Sequence, residues 1–429
     1  MTGSSVVSAT RASDPRPRVV VGVGGGIAAY KVGGLVRLFA ESGATVTVVP
    51  TAAALNFVGA ATWEALSGQP VATGVFTDIS QVKHVATGQH ADLVVIAPAT
   101  ADLLARAATG QADDLLTSTL LVTRAPVLMA PAMHTEMWTH PATVANVATL
   151  RSRGVTVLDP AVGRLTGADT GPGRLPEVEH IHSVGALLLR DPGAVPHDLA
   201  GRRVVVSAGG TRESLDPVRF LGNRSSGRQG YAVALVAAAR GAQVTLVSAN
   251  VALDPPPGVA LVEVGDARDL ENAMTKHAAG ADVVVMAAAV ADFRPVQAGE
   301  TKIKKRPGQG PPVVELAENP DILAGLSRPS PDRARVVVGF AAETGDALGT
   351  PLDYGRDKLA RKGCDLLVVN RVDQGRAFEV ADNAGVILAA DGSPPVDIPF
   401  GPKTVLAAAV CDAVARRLAG PAAGPEPPK

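Results

Sequence analysis

Residues 130–138 read APAMHTEMW, placing a histidine, a glutamate, two methionines and a tryptophan together in a chain that is only 3% aromatic. Such a cluster suits a metal site, a slice of core, or a loop that grips a cofactor or substrate. A metal site is disfavoured: His134 and His140 lie six apart, neither i+3 nor i+4 on a helix, and no cysteine backs them. Core packing explains Met133 and Met137 but leaves Trp138 and the interposed polar residues without a role. A loop at a strand end, walled by Met133, Met137 and Trp138, uses all of them.

The first half also carries GVGGGIAAYK at residues 22–31. A dinucleotide fingerprint starting at Gly22 needs glycine at position 27, where Ile27 stands, and the second strand ends in Thr51 instead of a ribose-binding acid. That pattern argues against NAD. The turn Gly24–Gly26 can still hold one phosphate through backbone N–H groups, against the plain alternative of a tight turn that binds nothing. The third strand leads into APATADLLARAATGQADDLL, where small residues Ala97, Ala99 and Thr100 leave room at a sheet edge. Asp113 and Asp114 suit a helix N-cap as well as a functional role.

In the second half, SAGGTRESLDPVRFLGNRSSGRQG (207–230) leaves a strand and enters a helix through Asn223, Ser225, Ser226 and Gly227. Hydroxyls and backbone N–H groups at a helix start make an anion nest, but Arg228-Gln229 replaces the Lys-Ser/Thr of a P-loop. Downstream, AAAVADFRP puts Asp292 at a strand end. TKIKKRPG clusters Lys302, Lys304, Lys305 and Arg306, a solvated basic face or, beside a phosphate nest, a neutraliser of triphosphate charge. Lys358 and Lys362 share one helical face at i, i+4.

These residues need elements to hold them. A chain of 429 residues with 46% hydrophobic and 19% charged residues has ample core for two to three domains. A net charge of −1 gives no global pull toward nucleic acid or anionic membrane. No apolar run reaches the ~20 residues that span a bilayer. Two cysteines, Cys364 and Cys411, exclude a disulfide framework and suit a reducing cytoplasm. Short β-branched runs alternate with alanine-rich amphipathic stretches, predicting two α/β halves, each a Rossmann-like open parallel sheet with ligands beyond the C-terminal strand ends. The boundaries read as a disordered Ser/Thr/Pro-rich tail over 1–17 without the apolar core of a signal peptide, domains over 18–197 and 198–420, and a second tail over 421–429. Residues 160–178 read as an aperiodic Pro/Gly-rich stretch.

GGIAAYK, the PATA turn, GQADDLL and PAMHTEMW together resemble the homo-oligomeric FMN-containing cysteine decarboxylases, whose signature PxMNxxMW is matched by Pro131, Met133, Met137 and Trp138. The resemblance implies a flavodoxin-like half with FMN held by Gly24, Gly25, Gly26, Thr51, Ala97, Ala99 and Thr100. It implies substrate contacts from Met133, Met137, Trp138 and Arg174, and His84 as catalytic acid/base. The chemistry implied is oxidative decarboxylation: the flavin oxidises a C-terminal cysteine to a thioaldehyde, CO2 leaves, and the enethiolate is reduced back with a proton. Two positions depart from that family. His134 occupies the site of the carboxylate-binding asparagine, and the flap reads LTGADTGPGR, with Gly167 where the family carries its proton-donating cysteine. Asp169, Thr166 or a bound water is expected to donate instead.

The second half resembles phosphopantothenate–cysteine ligase, and the halves together resemble the bifunctional bacterial enzyme of coenzyme A synthesis. The resemblance implies activation of 4′-phosphopantothenate by CTP as an acyl-cytidylate, attack by cysteine, and decarboxylation of the product to 4′-phosphopantetheine. CTP contacts then fall on Met286, Ala287, Ala288, Asp292, Lys302, Asn319, Pro320, Asp321, Ile322, Phe340, Lys358 and Lys362. Asn223 handles the acyl-cytidylate and Lys302 stabilises charge in activation. Mg2+ is expected on the triphosphate with no all-protein metal site. Flavin-half trimers and ligase-half dimers are implied as the homo-oligomer. The alternative is an active ligase fused to an impaired or regulatory flavin-binding half.

Overall fold

The computed structural model describes residues 16–71, 83–165, 169–304, 312–343, 349–371 and 382–420, without the side chains of residues 83–86, 343 and 371. The tails expected at the two ends fall mostly outside the described residues.

The first half is a five-stranded parallel sheet of β1 (Arg18–Val23), β2 (Thr45–Pro50), β3 (Leu93–Ala99), β4 (Val127–Pro131) and β5 (Thr156–Val157), in the order β2-β1-β3-β4-β5. Its strands are near-continuous Val, Leu and Ile runs because helices cover both faces; every residue of β3 is buried. Helix Val32–Glu41 lays Val32, Leu35, Val36 and Phe39 against one face at i, i+3, i+4, i+7 spacing. Thr100 starts helix Ala101–Thr109 by accepting the Leu103 N–H, and Gly110 ends it at φ 74°. Asp114 forms a reciprocal capping box with Thr117 at the head of helix Leu115–Val122, so its plain N-cap role is realised. The order reverses between β1 and β3, and this switch point is where a doubly wound sheet opens a crevice.

Within the stretch 160–178, two described segments form strands that its composition hides. Antiparallel β6 (Ala161–Arg164) and β7 (Thr170–Arg174) pair across it, with Arg164 opposite Thr170. Glycine and proline hide strands from propensity, but a local ribbon needs little more than the closure of a short loop. Helix Val178–Arg190 follows, packing Ile181, Val184, Leu187 and Leu188 into a core continuous with that of the second half.

The second half begins at β8 (Arg203–Gly209) and a small hairpin of β9 (Arg212–Ser214) and β10 (Phe220–Gly222). Helix Arg228–Ala239 leads to β11 (Gln243–Ala249) and β12 (Ala260–Val264), then β13 (Val283–Met286) and a ribbon of β14 (Phe293–Pro295) with β15 (Leu316–Glu318). The main sheet is completed by β16 (Val336–Glu343), β17 (Leu366–Arg371), β18 (Asp382–Ala389) and β19 (Val396–Pro402). Its order is β12-β11-β8-β13-β16-β17-β18-β19. The six strands through β17 are parallel as expected, whereas β18 and β19 run antiparallel at one edge. A short connection can join β18 to β19 only as a hairpin, and the sequence reading placed no strand there. The apolar run 281–292 yields a strand of only four residues, because after Met286 the chain leaves the sheet. Asp292 therefore sits in an exposed loop before β14 and not at the end of β13. Among the described residues no helix is long and apolar enough to cross a membrane.

Candidate functional site

At the switch point lies a cavity of about 920 Å³. Three turns following the C-terminal ends of β1, β2 and β3 meet there: Gly24–Gly26, Thr51–Ala53 and Pro98–Asp102. A Cβ on Gly24 would lie 2.3 Å from the Pro98 carbonyl oxygen, and one on Gly25 would lie 2.3 Å from the Ala53 Cβ. Both glycines are thus required by chain-on-chain packing. Gly26 is different: its extended backbone suits any residue, and an added Cβ would meet Thr100 at an ordinary 3.8 Å. Thr51 is buried, and its hydroxyl accepts the Ala54 N–H at 3.2 Å, which shapes the second turn.

Met133, His134 and Met137 line the cavity as expected of the strand-end loop, and Arg174 reaches it from β7. Trp138 does not line it; the indole packs against the core beneath β4 and borders a separate depression with Val144 and Val147. Ala97 and Ala99 are fully buried within β3, and the buried Pro98 between them lines the cavity. His134 is the N-cap residue of helix Thr135–Thr139 but makes no side-chain cap bond, which leaves its imidazole exposed toward the cavity. His84 lies in helix Lys83–His90, and its side chain, like Thr166 and Gly167, is outside the described residues. Asp169 is exposed at the start of the described part of the ribbon, and its carbonyl accepts the Leu165 N–H at 2.8 Å.

Sequence reasoning missed Arg106. Its guanidinium borders the cavity and binds Asp102 at 3.1 Å, Asp113 at 2.9 Å and Asp114 at 2.8 Å. Burial opposes its charge, but the hydrogen bonds it donates to Asp114 and Asp113 outweigh burial and hold it more firmly protonated than usual. The DD pair in GQADDLL was the available signal, unreadable without the arginine a turn earlier. Thr135 Oγ1 is buried with no hydrogen-bond partner among the described residues, and a Cβ on Gly171 of the ribbon would lie 2.4 Å from it.

In the second half a smaller cavity of about 150 Å³ opens between the 225–229 segment, the loop after β13 and the ends of β16 and β17. Of the nucleotide-contact candidates, Ala287, Ala288 and Phe340 line it. The N–H groups of Ala287 and Ala288 both donate to Ser207 Oγ at 3.1 Å, and Met286 is buried beneath them. Asn223 donates to the Val290 carbonyl at 2.9 Å and lies beside the loop, not in the cavity lining. Asn319, Pro320, Asp321 and Ile322 form the turn into helix Ile322–Ser327, whose start Asp321 caps through the Ala324 N–H at 3.1 Å. Lys362 pairs with that same Asp321 across from helix Pro351–Lys362, and this pairing, against the cost of burial, lowers the carboxyl. Lys358 lies half-buried on the same helix, and Lys302 is exposed. Lys305 and Arg306 fall outside the described residues. Asn250 was also missed: at φ 54° it donates to the carbonyls of Gly210 and Gly265, tying the anion-nest loop to its neighbour.

Comparison with known proteins divides the chain into two family matches. A family model described as Flavoprotein matches residues 7–187, and one described as DNA/pantothenate metabolism flavoprotein C-terminal domain matches residues 199–418. The coenzyme A biosynthesis bifunctional protein CoaBC of Mycobacterium tuberculosis H37Rv is 61% identical over 408 residues, covering 94% of this chain and 97% of the relative. That of Vibrio cholerae is 41% identical over 400 residues, covering 92% and 96%. A crystal structure of the C-terminal domain of a CoaBC protein is 34% identical over 52% of this chain and 98% of that one, at a TM-score of 0.44. With such identity along nearly its whole length, the chain belongs to the CoaBC family of bifunctional coenzyme A biosynthesis proteins, joining a flavoprotein phosphopantothenoylcysteine decarboxylase half to a phosphopantothenate–cysteine ligase half.

Proposed function

We propose that the large cavity holds FMN and that the loops around the small one take CTP, with domains over 18–197 and 198–420. The observation that carries the flavin reading is the cavity itself. It sits at the switch point of a flavodoxin-ordered sheet, with backbone turns at one end and the Met133–Met137 loop at the other. Those residues fit a flavin mononucleotide: the turns offer N–H groups to a phosphate, and the apolar walls suit a ring system. When bound, FMN supplies reversible two-electron oxidation of the substrate's thiol end. Ala97 and Ala99 shape the strand end under Pro98, and Thr51 and Thr100 hold their turns. His134 and Arg174 present donors to the substrate carboxylate; the imidazole, which donates a single bond when neutral and two when protonated, stands in the place of an amide. Trp138 supports the loop from behind. His84 serves as acid/base, and Asp169, Thr166 or water delivers the final proton.

For the ligase, Asn223 and the nest from Ser225 to Gly227 face the activated acyl group, while Lys302 neutralises charge that develops as pyrophosphate leaves. Asp292, the Asn319–Ile322 turn, Phe340, Lys358 and Lys362 surround the nucleotide. Mg2+, as the counter-ion of the triphosphate, would be held largely through substrate oxygens. The two cysteines are free and buried, which suits a cytoplasmic enzyme. We take the assembly to be a homo-oligomer of flavin-half trimers and ligase-half dimers.

The deciding experiment incubates the purified protein with phosphopantothenate, cysteine and CTP and follows products by mass spectrometry. The expected product is 4′-phosphopantetheine from a yellow, flavin-containing protein. Accumulation of phosphopantothenoylcysteine alone would favour the impaired-flavin alternative. Lys302→Gln is expected to stop ligation while leaving decarboxylation of supplied phosphopantothenoylcysteine intact.

A further inference from the structure

Lys403 breaks two rules at once. It is the first residue of helix Lys403–Ala419, where a cation opposes the helix dipole, and it is only 8% exposed. Among the described residues it has no carboxylate partner: its ammonium donates to the backbone carbonyl of Asp382 at 3.1 Å. Burial, and then the nearby Arg228, push its pKa below the ordinary lysine value, so the protein holds this charge at a cost. Local choices that conflict with stability mark sites kept for another purpose.

The surroundings say what that purpose is. Lys403 lines the 150 Å³ cavity, and so does Arg228, the first residue of helix Arg228–Ala239. Two helices of 12 and 17 residues thus start at one small space, each with a cation at its first position. The remaining lining is Ser225, Ser226, Phe340, small glycine and alanine segments and the amides of Gln229, Asn370 and Asn383; among the described residues none of it is acidic. Those amides fix the geometry: Asn383 donates to Gln229 at 3.2 Å and Asn370 at 3.1 Å, and Gln229 donates to the Lys403 carbonyl at 3.3 Å. The space is well under the ~300–1,000 Å³ that engulfs a whole small molecule, so it takes one end of a ligand.

We propose that Lys403, together with Arg228, binds a phosphoryl group of a ligase substrate in this cavity. This rests on reading the second half's loops as the ligase site. Two sources offer that chemistry, the polyphosphate of the nucleotide and the phosphate of phosphopantothenate. A buried ammonium suits either as a point charge, and nucleotide binding supplies the counter-charge that the fold withholds.

The test uses the full-length chain with Lys403→Met and Lys403→Arg. Lys403→Met is expected to raise KM for one phosphorylated substrate at least tenfold and to weaken inorganic pyrophosphate or phosphate binding, measured by calorimetry, by a similar factor. Lys403→Arg should recover most of the loss, and decarboxylation of supplied phosphopantothenoylcysteine should stay within twofold. A rise in KM for CTP with weaker pyrophosphate binding assigns the nucleotide; a rise for phosphopantothenate with weaker phosphate binding assigns that substrate. Both KM values and both anion affinities within twofold of the parent would overturn the proposal. If Lys403→Met does not fold, Arg228→Gln, altering an exposed side chain, carries the test: anion binding weakened at least threefold supports it, and unchanged binding refutes it. Normal ligation by Lys302→Gln with anion binding still dependent on Lys403 would sink the role proposed for Lys302 and leave this one standing.

Discussion

Asp216 holds the backbone of Ile303: its buried Oδ2 accepts the Ile303 N–H at 3.1 Å while Arg219, itself bound to that carboxylate, donates to the Ile303 carbonyl at 2.9 Å. The anion-nest loop thereby grips the chain between Lys302 and Lys304. The Arg219 guanidinium holds the Asp216 carboxyl well below the usual carboxylate range, so this anchor persists at all but strongly acidic pH. Asp216→Asn weakens charge-assisted bonds of about 1.5–3 kcal/mol. The expected result is a roughly 10- to 100-fold drop in kcat/KM for CTP with decarboxylation unchanged. Unaltered CTP kinetics would show that Lys302 needs no such anchor.

Asn319 does similar work nearby. Its side-chain amide donates to the Ala291 carbonyl and its backbone N–H to the Asp292 carbonyl, both at 2.8 Å, and Arg294 donates to its Oδ1 at 3.2 Å. Two segments assigned to CTP contact are joined by one residue. Asn319→Ala leaves buried carbonyl and guanidinium groups short of partners, at about 1–3 kcal/mol. A CTP KM raised roughly five- to 100-fold is expected from initial-rate kinetics, with little change in the flavin spectrum.

Gly25 is committed by packing. A side chain there meets Ala53 at 2.3 Å, so Gly25→Val must push the Gly24–Gly26 and Thr51–Ala53 turns apart. Overpacking of this kind costs about 1–3 kcal/mol and deforms the cavity's turn end. The variant is expected to purify colourless and without decarboxylase activity while still making phosphopantothenoylcysteine. Retention of full flavin absorbance would place the phosphate end of the cofactor elsewhere.

Three histidines link acidity to packing. Burial lowers the pKa of His180, His182 and His197, with Arg151 adding to the effect at His197. His182 packs tilted against Phe39, at 4.8 Å between ring centroids, and bonds Ser42 at 2.9 Å. Folded values below the ordinary 6.5 mean that the unfolded chain binds more protons once pH falls under that value. Their contribution to stability is therefore complete above about pH 6.5 and lost as pH drops through the folded values. The urea midpoint should be lower at about pH 5.5 than at about pH 7.5, and His182→Gln should flatten the difference. Equal midpoints in the parent would refute it.

The sequence by itself determined the parallel α/β halves, because buried parallel strands must be written as unbroken apolar runs and their helices as amphipathic ones; β1 and β2 follow those runs residue for residue. It also determined which short stretches gather at strand ends, since glycine turns, hydroxyls and caps act locally. Only the tertiary structure decided which of these meet. Met133 and Met137 turned to the cavity while Trp138 turned to the core, a choice set by the short helix after β4. The ribbon over residues 161–174 and the antiparallel edge of the second sheet rest on pairings that composition does not encode. Asp216 holds Ile303 across 87 residues and Lys403 donates to Asp382 across 21, distances in sequence that no local pattern spans. A charge is informative only when its burial and its neighbours are known, because the dielectric and the counter-charges around it are properties of the fold.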